Sequence, residues 1–90
     1  EACKINVGVK VHHNSTIGSF SDIAPSSTIL GNVKIGNQCY IGAGTIVREK
    51  IKISNQIMTG INSAVVKNLN KSGLYIGVPA KRVKNSYERP

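Results

Sequence analysis

Ninety residues suffice for one domain and no more. Aromatic residues make up 4% of the chain, with no Trp and one Phe, which argues against a core of large interlocking side chains. The formal net charge is +8, yet no RNA- or DNA-binding motif and no aromatic interleaving for base stacking accompanies it, so nucleic acid is not an expected partner. No run approaches the roughly 18 apolar residues of a membrane-spanning helix, and no signal peptide opens the chain, so no membrane insertion is expected.

From the N-terminus, the first residues up to Ile5 read as the middle of a repeat. An N-terminal domain is therefore expected to lie outside this chain. Every sixth residue from position 5 gives Ile5, Val11, Ile17, Ile23, Ile29, Ile35, Ile41, Val47, Ile53, Thr59 and Val65. All but Thr59 are β-branched aliphatics, and the register never slips. The column two residues earlier, running from Cys3 through Ser21 and Cys39 to Ser63, is small or β-branched throughout and never charged. Each unit of six therefore points two side chains inward and the rest outward.

A period of six is neither helical nor heptad. A short strand followed by a bend, repeated every six residues, makes a coil with flat sides, the hexapeptide β-helix. Three hexads close one triangular coil, so residues 18 apart stack about 4.8 Å apart along the axis. The expected fold is all-β, a parallel β-helix over residues 1–66. Residues 67–90 lose the period and are expected to form a tail that caps the last coil and packs along its side. That segment holds Lys67, Lys71, Lys81, Arg82, Lys84 and Arg89. It reads either as a solvated basic end or as a site for an anionic cofactor or surface.

The stacking also bears on the cysteines. Cys3 and Cys39 lie two coils apart in one inward column, about 9.6 Å by stacking, beyond the roughly 7 Å that a disulfide allows. Free, buried thiols are expected, in keeping with a reducing, cytoplasmic setting.

The two histidines, His12 and His13, are adjacent. Eighteen residues on from His13 is Gly31, one coil above the same corner. An imidazole there can take a proton from a nucleophile, and an amide that no Cβ shields can stabilise charge on a carbonyl oxygen. Gly31 can equally be read as a requirement of the corner alone. A zinc site of the γ-carbonic anhydrase kind needs three His ligands, whereas two neighbouring side chains on one strand diverge. No metal is expected.

Residues 11–42 combine His-x4-Gly (His13 to Gly18) with Gly-Asn-Val-x-Ile-Gly (Gly31 to Gly36), and Gly77 to Lys81 read Gly-Val-Pro-Ala-Lys. On these motifs the chain resembles the hexapeptide acyltransferases, in particular the sialic acid O-acetyltransferases and UDP-4-amino-sugar N-acetyltransferases. The resemblance covers nearly the whole chain and implies a left-handed coil and a homotrimer. It further implies acetyl-CoA as co-substrate and a sugar or nucleotide-sugar acceptor. It makes His13 the general base and gives the Gly31 amide to the thioester carbonyl. It places Gly60 beside the pantetheine arm, and Lys81 and Arg82 near the CoA phosphates. Two departures stand out. Relatives usually carry Asp or Glu directly after the catalytic His, where this chain has Asn14. A second His often stands where this chain has Asp22. Asp22 reads either as a replacement carboxylate for His13 or as a solvated turn residue. The expected activity is transfer of an acetyl group to a sugar amine or hydroxyl, with a non-catalytic trimerisation module as the alternative.

Overall fold

The computed structural model describes residues 3–87, so Arg89 of the basic tail lies outside the described residues. Short strands recur at the six-residue spacing: β1 (Lys4–Ile5), β2 (Lys10–Val11), β3 (Thr16–Ile17), β4 (Asp22–Ile23), β5 (Thr28–Ile29) and β6 (Lys34–Ile35). They continue with β7 (Tyr40–Ile41), β8 (Ile46–Val47), β9 (Lys52–Ile53), β10 (Ile57–Thr59) and β11 (Ala64–Val65). Two further strands, β12 (Gly73–Ile76) and β13 (Lys81–Lys84), follow. Each of the first eleven ends on a residue of the Ile5 column. Between strands the chain turns a corner whose second residue adopts a left-handed backbone, as at Asn14 (φ 61°), Asn32 (φ 59°) and Asn62 (φ 55°). Asn is among the few side chains that tolerate this conformation well.

Three strands and three corners return the chain above its start. Lys4 lies beside Asp22 and Asp22 beside Tyr40, which is the 18-residue register. The fold is an all-β, left-handed parallel β-helix with three flat faces. The first face runs β1-β4-β7-β10-β12-β13, the second β2-β5-β8-β11 and the third β3-β6-β9.

The inward column forms the core. Ile23, Ile29, Ile41 and Val47 are wholly buried, each stabilising the fold by about 1.5–3 kcal/mol. The second inward column is small for a reason beyond size. The Ser21 hydroxyl donates to the Gly36 carbonyl (2.7 Å) and accepts from the Cys39 amide (3.0 Å). Ser15 does the same with Leu30 and Val33, and the Cys39 thiol donates to the Ser54 carbonyl at 3.1 Å. These hydroxyls and thiols satisfy backbone groups where strand gives way to corner. Among the described residues no buried side-chain nitrogen or oxygen lacks a partner.

The expectation of two buried thiols is half corrected. Cys39 is buried but Cys3 is exposed, and both are free. The cause is position along the axis: Ile5 is 52% and Val11 39% exposed in the first coil, whereas Ile23 is fully covered by its neighbours above and below.

At the other end the stacking runs on past Val66. Strict counting would bring Lys71 inward one coil above Ile53. Instead Leu69 bridges Ile53, and Thr59 pairs with Tyr75. The last coil is therefore 16 residues long, and Leu69 and Tyr75 are buried in the column. The Tyr75 hydroxyl donates to the Lys71 carbonyl at 2.7 Å, so the ring ends the core without an unmet polar group. Strand β13 then turns back antiparallel to β12.

Candidate active site at the His13 corner

Strand β2 ends the second face and β3 begins the third, and His13 and Asn14 make the corner between them. One coil up, Gly31 and Asn32 make the same corner, and Glu49 and Lys50 follow above. The coils are tied by the second corner residue: the Asn32 amide donates to the His13 carbonyl (3.2 Å), and the Lys50 amide to the Gly31 carbonyl (3.0 Å). The first corner residue's amide has no such duty. Among the described residues, the Gly31 N–H donates to nothing.

The imidazole of His13 reaches up beside it. A Cβ placed on Gly31 would lie 3.7 Å from both Nε2 and Cε1 of His13 and 3.6 Å from the His13 carbonyl oxygen. These are ordinary contacts, and the equivalent corner positions hold His, Ser, Asn and Glu. The turn itself therefore does not demand glycine at residue 31. What glycine does there is leave the space between imidazole and amide open. An imidazole and an uncommitted amide facing one small volume can accept a proton and stabilise an oxyanion in the same step.

The other sequence-selected residues are distributed differently. Asn14 occupies the left-handed corner position, and neither it nor Asp22 is hydrogen-bonded to His13. Asp22 lies on the first face, where its Oδ1 accepts from Asn6 Nδ2 at 3.1 Å. Gly60 stands at the corner between the first and second faces, and its amide donates to the Tyr75 carbonyl at 2.9 Å. A Cβ on Gly60 would press on Ile76 Cγ2 at 2.6 Å, so packing accounts for that glycine. Lys81 and Arg82 extend from β13 at the far edge of the first face, and Arg82 Nε donates to the Ser72 carbonyl at 3.0 Å. Within one chain, then, His13 and Gly31 are brought together, while Gly60, Lys81 and Arg82 stand on other faces.

No three His, Cys, Asp or Glu side chains among the described residues cluster as a metal site. Among the described residues no helix is long and apolar enough to cross a membrane. A cavity of about 590 Å³ lies away from His13, between the column of Phe20, Gln38 and Gln56 and the returning chain at Tyr87. There the Tyr87 hydroxyl donates to the Gln38 carbonyl at 2.6 Å. Size does not make it the reactive site, because neither histidine lines it.

The molecule is thus a hexapeptide-repeat β-helix of the kind found in sugar acyltransferases. No family model matches the chain. In sequence it is 31% identical over 78 residues to the UDP-3-O-acylglucosamine N-acyltransferase of Bordetella pertussis, a match covering 87% of this chain and 22% of that protein. The chain therefore spans about a fifth of that relative's length. In fold it is similar to the acetyltransferase domain of PglB from Neisseria gonorrhoeae, solved with acetyl coenzyme A. The TM-score is 0.90 at 24% identity, over 92% of this chain and 40% of that one. It is also similar to PerB from Caulobacter crescentus, solved with CoA and GDP-perosamine. There the TM-score is 0.75 at 22% identity, over 89% of this chain and 53% of that one.

Proposed function

We propose that this chain carries the catalytic corner of an acyltransferase that moves an acetyl group from acetyl-CoA to an amine or hydroxyl of a sugar or nucleotide-linked sugar. The observation that carries the reading is the His13 imidazole standing beside the uncommitted Gly31 amide. The acceptor nitrogen or oxygen attacks the thioester carbonyl, and His13 takes its proton as the new bond forms. The Gly31 N–H donates to the oxyanion that develops on the carbonyl oxygen. When the C–S bond breaks, the imidazolium returns the proton to the leaving thiolate, which gives the thiol of CoA and restores the base. The relatives named above, of which one acts on a UDP-linked glucosamine and two were solved with CoA ligands, support this choice of donor and acceptor.

The same reading makes the working form a homotrimer, in the cytoplasm, with the co-substrate held between neighbouring prisms. Gly60, Lys81 and Arg82 stand on faces away from His13, and a neighbouring copy is the simplest way for such groups to approach a donor bound at its corner. Among the described residues neither Asn14 nor Asp22 gives the imidazole a carboxylate partner, since Asp22 is engaged by Asn6, and a carboxylate from a neighbouring copy would supply the electrostatic support that the imidazolium needs.

Turnover of acetyl-CoA with a UDP-linked 4-amino-sugar tests the reading. Replacement His13→Ala should lower it by about 10²–10⁴-fold while leaving thermal stability unchanged, because the side chain is exposed. Full activity in that variant overturns the assignment. The missing carboxylate favours a second reading, a non-catalytic trimerisation module, for which calorimetry should detect no binding of CoA.

A further inference from the structure

The third face begins directly at the His13 corner, and its outward column carries a charge arrangement that the fold does not explain. Lys34 in β6 and Lys52 in β9 are direct register partners on neighbouring parallel strands, and both are exposed. Strand spacing sets their backbones about 4.8 Å apart. Like charges placed directly opposite one another on a sheet are destabilising. No acidic side chain forms an ion pair with either lysine among the described residues. Asp22 is engaged by Asn6 on the first face, and Glu49 sits at the corner above Gly31 without pairing to them.

Between the two lysines lies a depression of about 350 Å³, lined also by Gly36, Ser54 and Asn55. Asn55 Oδ1 is taken by the Asn37 amide (2.8 Å), so the polar group Asn55 has left for a ligand is its NH2. Two ammonium groups, a hydroxyl and an amide NH2 make a surface of donors with no carboxylate. That chemistry suits a phosphate or diphosphate.

We infer that Lys34 and Lys52 bind the diphosphate of a nucleotide-linked sugar acceptor and so aim its sugar at His13. The inference rests on the acyltransferase reading for the direction of approach. Lys34 follows Gly31 by three residues, so along the strand the two are about 10 Å apart at most. A sugar joined directly to a diphosphate presents its far-side amine or hydroxyl about one ring-width beyond the phosphate, and the long lysine side chains, reaching back along the face, would cover the rest of that span. The diphosphate of CoA is separated from sulfur by the whole pantetheine arm and would overshoot it.

Calorimetry with UDP and GDP as probes of the diphosphate, and CoA as the competing source, tests this. The double replacement Lys34→Gln with Lys52→Gln should weaken UDP or GDP binding by about tenfold or more. Its salt dependence should fall, while CoA binding is retained. Lys10→Gln on the second face, which removes one charge elsewhere, should leave both unchanged. Circular dichroism should report an unaltered or slightly raised Tm for the double variant, since a repulsion has been removed. Unchanged nucleotide binding in the double variant, no nucleotide binding by the parent protein, or an equal loss for CoA each overturns the inference. Retained His13-dependent turnover in those cases leaves the acyltransferase reading standing. Lysine-dependent UDP binding with no binding of CoA has the opposite meaning, since the diphosphate site survives and the acyltransferase reading falls.

Discussion

Two corners of the same β-helix use one turn geometry for opposite ends. At the corner between the third and first faces, each coil passes a side-chain acceptor down to the next. The Ser19 amide donates to Asn37 Oδ1 and the Asn37 amide to Asn55 Oδ1, both at 2.8 Å. The neighbouring glycines there are forced: a Cβ on Gly18 would lie 2.5 Å from the Gly36 carbonyl. At the corner between the second and third faces, the same backbone carries His13 and Gly31, no side chain accepts from the Gly31 amide, and a Cβ would fit. At the first corner the Ser19 and Asn37 amides are bonded within the chain. The other leaves the Gly31 amide, which water can satisfy, without a partner among the described residues and the His13 imidazole exposed beside it.

The largest effect that separates the two is expected from alanine at their glycines. Gly36→Ala would place a Cβ 2.9 Å from the backbone of Ser54 and Asn55, at a cost of about 3 kcal/mol in urea denaturation. Gly31→Ala should stay within about 0.5 kcal/mol of the parent in the same measurement. Equal losses at the two glycines would remove the distinction. Next in size, Asn37→Ala deprives the Ser19 amide of its acceptor and should cost about 1 kcal/mol. The acyl-transfer rate should fall far less than in a His13 variant, because that corner holds neither His13 nor Gly31. The smallest change in stability sharpens the contrast furthest. Gly31→Ala keeps the amide but puts a methyl 3.7 Å from the His13 ring, so turnover should fall roughly tenfold or more with the fold intact. Undiminished turnover in that variant would mean that the open space has no catalytic use.

The coil was legible because burial imposes a period on residue type: one inward Ile or Val in every six cannot arise from a helix or from plain strand alternation. The same counting placed Gly31 over His13, since both members of that pair sit where the register is unbroken. It did not see that the hydroxyls and thiols of the second inward column serve carbonyls 15 residues on, as Ser21 serves Gly36. Lys34 and Lys52 also escaped it, although they too are 18 apart, because outward positions carry no burial signal. Leu69 and Tyr75 were missed since they enter the core only after the coil shortens to 16 residues. A residue-type pattern registers such a deletion only as the loss of its period.

By itself, then, the sequence determined the β-helix, its 18-residue stacking and the partnership of His13 with Gly31, all of which follow from side chains being excluded from water at regular intervals. Tertiary structure alone decided that Cys3 is exposed in the first coil, and that Ile76 leaves no room for a Cβ at Gly60. It also separated Asp22 and Arg82 from the histidine on other faces. Those outcomes depend on what lies above, below and around the corner of each coil, and a repeat that looks the same in every coil carries no record of its neighbours.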